Sequence, residues 1–154
     1  MIEIPERLIQ QMNLDGERTY PEECCGLMLG VQKDRLQIVR TILPIGNSQD
    51  LNRRRRFLIT PEQYRSAEQN AVDRELDLLG SYHSHPDHPA VPSAYDTEHA
   101  LPSLTYIIVS IINGKARTIS AWALNEDRGG LDERPLNVSK ILKKKTDKVQ
   151  RAPK

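Results

Sequence analysis

The sequence predicts a single α/β domain in which helices flank a mixed, mostly antiparallel sheet. Short apolar runs alternate with helical periodicity, a length of 154 residues suits one domain, and no internal repeat occurs. We expect the domain to span residues 1–132. Eight basic side chains and one acidic side chain lie between residues 134 and 154. Residues 133–154 are therefore predicted to form a basic, flexible tail, in preference to a nucleic-acid-binding arm.

The first elements are predicted to be a helix and a hairpin. Residues 4–12, IPERLIQQM, have helical spacing, and Pro5 lies near the start, where its missing N–H has no cost. The apolar runs 24–31 and 35–43 are separated by a short polar segment. This pattern is typical of two antiparallel strands.

A second helix is predicted in the middle of the chain. The run FLIT, residues 57–60, indicates a short strand before it. Thr60 then serves as the helix N-cap, Pro61 takes the first helical position, and Gln63 closes a capping box. A helix of about four turns follows and leads into a buried strand at residues 76–85.

The last predicted elements are two more strands. The run at 104–112 is apolar enough for a buried strand, and the segment 116–124 returns beside it. Asn113 and Gly114 between them form the favoured two-residue hairpin turn.

Composition argues against several classes of protein. The two cysteines, Cys24 and Cys25, are adjacent and point to opposite faces of a strand, so they cannot form a disulfide framework. The net charge of +1 gives no overall attraction to nucleic acid or to anionic membranes. No apolar stretch approaches the roughly 18 residues of a membrane span. We therefore expect a cytoplasmic protein that binds neither nucleic acid nor membranes.

Three of the four histidines fall within residues 83–88. If a strand ends here, His83 and His85 project from the same face, because side chains in a strand repeat every two residues. A helix that begins at Ser93 would turn Asp96 back toward the end of the strand. Two imidazoles and a carboxylate are typical ligands of a catalytic zinc site, which keeps a fourth position for water.

Each of these features also has a simpler interpretation. A lone His-x-His pair is more often incidental than metal-binding. Ser93 and Asp96 alone indicate a variant of the capping box, with an acid near the helix dipole. His88 and His99 fit neither spacing and are expected to face solvent. The metal site is therefore favoured by the combination of motifs.

The combined motif resembles the signature of a known family. Residues 83–96, HSHPDHPAVPSAYD, contain His-x-His-Pro, six residues, Ser, two residues and Asp. The chain is thus similar to the JAMM (MPN-plus) zinc metallopeptidases, and to their small, stand-alone prokaryotic type. Residues 20–30, YPEECCGLMLG, resemble the family's early segment, whose catalytic glutamate lies three residues before a glycine. Counting back from Gly26 gives Glu23, although Glu22 leaves the register open.

This resemblance covers roughly residues 4–125 and implies a fold, a cofactor and an activity. The implied fold is the JAMM/MPN fold, which is cytidine-deaminase-like. His83, His85 and Asp96 would bind one Zn²⁺ per chain, which activates a water molecule and polarises the scissile carbonyl. Glu23 would be the general base and then the acid, and Ser93 would donate a hydrogen bond to the oxyanion.

The implied substrate is a peptide or isopeptide bond after the C-terminal Gly-Gly of a ubiquitin-like or sulfur-carrier protein. The alternative is a non-catalytic MPN-type interaction scaffold, but such a protein would normally lack part of this residue set. A nucleobase deaminase would need His-x-Glu and Pro-Cys-x-x-Cys, and neither motif occurs. No pattern indicates the oligomeric state, the particular partner, or the choice between peptide and isopeptide bonds.

Two further features have open roles. We favour the interpretation that the run Arg53–Arg56 is a solvated loop; the alternative is that it binds an acidic patch on a partner protein. For Cys25 we favour a role as a buried packing residue; the alternative is a redox-sensitive thiol beside the metal.

Overall fold

The computed structural model describes residues 1–140, which form eight strands and three helices in one mixed sheet domain. The predicted α/β class is confirmed. In chain order the elements are β1 (Ile2–Pro5), α1 (Glu6–Thr19), β2 (Cys25–Lys33), β3 (Leu36–Ile45), α2 (Pro61–Asp73), β4 (Asp77–Pro86), α3 (Ala94–Glu98), β5 (Thr105–Ile112), β6 (Lys115–Leu124), β7 (Leu131–Arg134) and β8 (Leu136–Ser139). Among these elements, no helix is both long and apolar enough to cross a membrane.

The sheet curls until its two edges approach each other. The strand order is β7-β6-β5-β4-β2-β3-β1-β8, so β7 and β8 are the outermost strands. Only Pro135 separates them in the chain, and one residue spans only about 3.8 Å between Cα atoms. The pairs β1–β3, β1–β8 and β4–β5 are parallel, and the other neighbours are antiparallel.

Apolar side chains cover both faces of the sheet. On one face, Leu8 and Met12 of α1 pack in a core cluster with Tyr82 of β4. On the other face, Ala67 of α2 packs with residues of β2 in a smaller cluster. Cys24 and Cys25 belong to these two different clusters, and both thiols are free, as their adjacent positions predict.

Local sequence signals explain how the elements begin and turn. The Thr60 hydroxyl accepts a hydrogen bond from the Gln63 N–H, and the Gln63 side chain accepts one from the Thr60 N–H. This is the predicted capping box of α2. Asn113 and Gly114 have φ values of 50° and 80°, which a two-residue turn between antiparallel strands requires.

The predicted strand at residues 57–60 is wrong. This segment belongs to no sheet, because a neighbouring loop binds its backbone groups. The Leu58 N–H donates to Asn47 Oδ1, and the Leu58 carbonyl accepts from the Ser48 N–H. An apolar run therefore marks a segment that packs on the sheet without joining it.

The predicted boundary at residue 132 and the flexible tail from residue 133 are also wrong. Residues 131–134 form β7, and residues 136–139 form β8, which pairs in parallel with β1. Leu136 packs against the core, and the Ile2 N–H donates to the Pro135 carbonyl at 3.0 Å. The edge of β1 thus obtains backbone partners from a segment whose charge suggests a tail. Residues 141–154, the rest of the predicted tail, lie outside the described part of the chain.

Candidate metal centre

The site lies where β4 ends and α3 begins. His83 and His85 occupy alternate positions near the end of β4, and Asp96 belongs to the first turn of α3. One ligand atom from each of these three residues lies within 4.8 Å of the others. The structure therefore brings together the three residues that the sequence predicts as metal ligands.

The distances show three groups that face a common point. Asp96 Oδ1 lies 3.3 Å from His83 Nε2, and Asp96 Oδ2 lies 3.0 Å from His85 Nε2. The two Nε2 atoms are 3.2 Å apart. If neither Nε2 atom carries a proton, the form in which imidazoles bind metal, their lone pairs and the carboxylate repel one another at such distances. A cation at this point would relieve the repulsion.

A hydrogen bond fixes the orientation of one imidazole. His85 Nδ1 lies 2.9 Å from the Pro89 carbonyl oxygen, which can only accept. The proton is therefore on Nδ1, and the Nε2 lone pair faces the cluster. Metal-binding histidines usually have a second partner of this kind.

The other imidazole is held by packing. The His83 ring stacks on the Phe57 ring with centroids 4.4 Å apart. Burial lowers the pKa of His83 and outweighs the opposite influence of Asp96, so the ring is neutral near pH 7. Its Nδ1 atom is buried and has no hydrogen-bond partner among the described residues. A neutral imidazole is the form that binds metal.

Asp96 belongs both to the helix cap and to the candidate ligand cluster, the two roles that the sequence suggests for it. Its N–H donates to Ser93 Oγ at 3.0 Å, and its Oδ2 accepts from the Ser93 N–H at 2.9 Å, which completes a capping box. The same carboxylate faces both imidazoles. Burial would raise the pKa of Asp96, but the neighbouring imidazoles of His83 and His85 and the hydrogen bond from the Ser93 N–H hold it below its ordinary value. The Ser93 oxygen accepts in the cap, so its hydroxyl proton stays free to donate.

Glu23 lies in the loop before β2 and is buried, with 3% of its surface exposed. Its N–H donates to the Arg53 carbonyl at 2.8 Å, and its carbonyl accepts from Asn47 Nδ2 at 3.1 Å. Burial, with a contribution from the charge of Asp96, raises the pKa of Glu23 to about 9. Its Oε1 atom has no hydrogen-bond partner among the described residues. Glu22 is half-buried, whereas Glu23 lines the cleft at the site.

Two cavities meet the ligand cluster. The larger, of about 380 Å³, is lined by Glu23, His85 and Ser93, with Arg55 and His88 at its margin. The smaller, of about 140 Å³, is mostly aromatic and reaches the other side of the cluster. Glu23, Ser93 and one ligand, His85, thus open on the larger cleft, whereas His83 and Asp96 line the smaller cavity.

The remaining predicted residues lie outside the cluster. Ser84 accepts a hydrogen bond from the Cys24 N–H on the opposite face, as strand alternation predicts. His88 and His99 are exposed, as expected. His88 nevertheless lines the larger cleft, and His99 stacks on Tyr95 with ring centroids 4.0 Å apart.

Sequence patterns missed three groups that shape the site. Asn47 connects the Glu23 carbonyl with the Arg56 carbonyl through its side-chain amide. Phe57 stacks on His83, and the Pro89 carbonyl orients His85. No local motif marks Asn47 or Pro89. Of the three groups, Phe57 alone belongs to a recognisable pattern, the apolar run at residues 57–60, and that pattern indicates a strand.

The fold and the site define the class of this protein. It is a mixed α/β domain with a His-His-Asp cluster beside a buried carboxyl, an arrangement compatible with a zinc hydrolase. Residues 5–125 match the model of the Prok-JAB family, the prokaryotic homologs of the JAB domain. The chain belongs to this family.

Solved structures agree with this assignment. A solution structure of a protein from Salinibacter ruber is 36% identical, has a TM-score of 0.69, and covers 90% of this chain and 92% of its own. A solution structure from Desulfitobacterium hafniense is 27% identical, has a TM-score of 0.79, and covers 90% of this chain and 93% of its own. Comparison with curated proteins gave no match.

A third structure shares the fold at lower identity. It describes the JAMM metalloprotease-like zinc site in the proteasome and signalosome, and it is 17% identical with a TM-score of 0.55. The match covers 91% of this chain and 99% of that chain. At this identity the likeness supports the JAB/MPN fold alone.

Proposed function

We propose that this protein is a zinc-dependent metallopeptidase that hydrolyses a peptide or isopeptide bond after the C-terminal Gly-Gly of a ubiquitin-like or sulfur-carrier protein. One observation carries the proposal: the His83, His85 and Asp96 cluster borders, through His85, the cleft that the buried Glu23 carboxyl also lines. A structural role alone would not favour three converging metal-ligating side chains and an unpartnered buried carboxyl oxygen.

The donor set fits zinc. Two neutral imidazole nitrogens and one carboxylate are the typical protein ligands of a catalytic zinc ion with an open fourth position. The lone pair of His85 Nε2 already faces the cluster, and burial keeps His83 neutral. When bound, zinc lowers the pKa of a water molecule to about 7 and polarises a carbonyl group.

Glu23 would move the proton during hydrolysis. Its unpartnered Oε1 atom is free to accept a proton from the attacking water and later to deliver it to the leaving amine nitrogen. A pKa of about 9 favours the second step, because the carboxyl retains its proton until a stronger base is formed. A positive charge in the neighbouring cluster favours the ionised form needed for the first step.

Ser93 would stabilise the developing oxyanion. Its oxygen accepts the Asp96 N–H in the helix cap, which fixes the side chain at the margin of the cleft. The hydroxyl proton can then donate to the carbonyl oxygen as its negative charge develops. The capping role and the catalytic role therefore use different parts of one hydroxyl group.

A tail that ends in two glycines suits this cleft, since it has no side chains at the scissile bond and can approach Glu23 and His85 closely. A tail added at a sheet edge beside the site has less support, because the edge strands β7 and β8 lie away from β4. The two free buried thiols fit a reducing compartment such as the cytoplasm.

The first experiment measures metal content by elemental mass spectrometry on protein purified without a metal-affinity tag. We expect one zinc ion per chain, little in Asp96→Ala, and a full complement in His99→Ala, which removes an exposed histidine outside the cluster. The loaded protein is then assayed on a Gly-Gly-linked fusion of a ubiquitin-like protein. Absence of metal after zinc is offered would overturn the proposal and favour the non-catalytic scaffold.

A further inference from the structure

The four consecutive arginines Arg53–Arg56 form a patch that we call the basic rim. All four are exposed, and none forms an ion pair with another described residue. Residues 1–133 contain fourteen basic and twenty acidic side chains, so the basic rim is opposite in sign to the domain that carries it. A solvated loop needs no such concentration of unpaired charge of one sign.

The backbone of the basic rim is attached to the site. The Arg53 carbonyl accepts from the Glu23 N–H at 2.8 Å, and the Arg56 carbonyl accepts from Asn47 Nδ2 at 3.0 Å. The same Asn47 amide donates to the Glu23 carbonyl. Hydrogen bonds from the Arg55 and Arg56 N–H groups to the Asn52 carbonyl close the turn. The guanidinium groups therefore start from a backbone whose position is fixed relative to Glu23.

Two side chains of the basic rim lie beside the cleft. Arg55 lines the cleft together with Glu23, His85 and Ser93. The Arg56 guanidinium lies over the Tyr95 ring, 4.9 Å from its centroid, and Tyr95 precedes Asp96 in α3. Positive charge thus borders the cleft on the side of the loop. An extended substrate passing through the cleft would meet it within a few residues of the scissile bond.

We propose that the basic rim binds an acidic segment of the protein substrate that flanks the scissile bond, with Arg55 as its main specificity-determining residue. This inference rests on the proposed peptidase function. Arginine suits the role because its planar group can bind a carboxylate through two hydrogen bonds. A nucleic-acid partner is less favoured, since four residues offer few phosphate contacts and the surrounding domain has an acidic excess.

The test compares three internally quenched peptides on the zinc-loaded full chain. They share one Gly-Gly-Lys core and differ in three positions before it, which are all glutamate, all glutamine or all lysine. We expect kcat/KM for the glutamate peptide to exceed that for the glutamine peptide about fivefold, a typical effect of exposed charge pairs. The preference should shrink at about 1 M salt, where the Debye length is about 3 Å.

Variants then assign the preference to the basic rim. Arg55→Glu should reverse the order of the glutamate and lysine peptides, whereas Arg117→Gln, at an exposed position on β6, should leave it unchanged. Melting temperatures check that each variant is folded. Equal kcat/KM values for all three peptides, or an equal effect of Arg117→Gln, would overturn the inference while leaving the peptidase function intact.

A binding measurement separates this inference from the proposed function. Fluorescence anisotropy of the labelled glutamate peptide is measured with the parent and with Arg55→Glu. If no peptide is cleaved but the glutamate peptide binds and Arg55→Glu abolishes binding, the peptidase function fails and the acidic-partner surface stands. Tighter binding of a labelled single-stranded RNA of about 20 nucleotides, with the same dependence on Arg55, would replace the acidic protein with nucleic acid and overturn the inference.

Discussion

The substitution Glu23→Gln should stabilise the metal-free protein while it abolishes turnover. Glu23 is 3% exposed, and its Oε1 atom has no partner among the described residues. Its pKa rises from 4.5 to about 9 through burial and the nearby charge of Asp96. Glutamine has the same shape and no charge, so it removes the base without removing a metal ligand.

The size of the effect follows from the two pKa values. Below pH 4.5 the carboxyl is protonated in both states and does not favour either of them. Between pH 4.5 and about 9 it is protonated when folded but ionised when unfolded, so the free energy of unfolding falls as pH rises. The slope is about 1.4 kcal/mol per pH unit, which amounts to at most about 3 kcal/mol at pH 7. Glu23→Gln should recover much of this difference.

The assay is urea unfolding of the chelator-treated parent and Glu23→Gln at pH 4.5, 7 and 9. The advantage of the variant should be small at pH 4.5 and grow with pH. Added zinc should reduce it, because a cation favours the ionised carboxyl. A variant of equal stability at every pH would refute the account of Glu23 as a buried, destabilised carboxyl. Near-normal peptidase activity of Glu23→Gln would show that another group, with Glu22 the first candidate, is the base.

Three other perturbations have defined outcomes. Ser93→Ala should lower kcat roughly 100- to 1000-fold and cost about 1 kcal/mol of stability through loss of the cap, whereas Ser93→Thr should retain both properties; kinetics and thermal melts measure them. Removing the metal with a chelator should lower the melting temperature, and zinc at about 100 times its Kd should restore about 2.7 kcal/mol; an equal gain in Asp96→Ala would show that the ion binds outside the cluster. Deleting residues 136–154 should cost about 2–4 kcal/mol through the lost β1–β8 pairing. If deletion of 141–154 alone has the same effect in urea unfolding, β8 is not responsible.

The local parts of the site could be predicted because each depends on a short-range rule. His83 and His85 share a face through strand alternation, and Ser93 and Asp96 are joined by a capping box that spans three residues. The hairpin at Asn113 follows from the positive φ angles that its turn requires. Such rules need no knowledge of the rest of the chain.

The parts that could not be predicted depend on contacts between distant segments. β8 pairs with β1 across almost the whole described chain, and it lies within the segment whose basic charge suggests a tail. Phe57 lies in an apolar run typical of a strand, but its ring packs on His83 and its segment is bound by Asn47. Composition records how apolar a segment is, and only the tertiary structure decides which surface it covers.

The same contacts explain why the site is stable enough to form and still poised for chemistry. Two imidazole nitrogens and Asp96 converge within 3.0–3.3 Å, and the buried Glu23 carboxyl lies next to them. The raised pKa of Glu23 and the lowered pKa of His83 show that burial of these two groups destabilises the folded chain, and a cation in the cluster would offset this cost, so metal affinity and folding stability are linked. The helix cap at Ser93, the Pro89 carbonyl and the Asn47 amide hold Asp96, His85 and Glu23 in place. Mutations at these supporting positions should therefore weaken metal binding without touching a metal ligand.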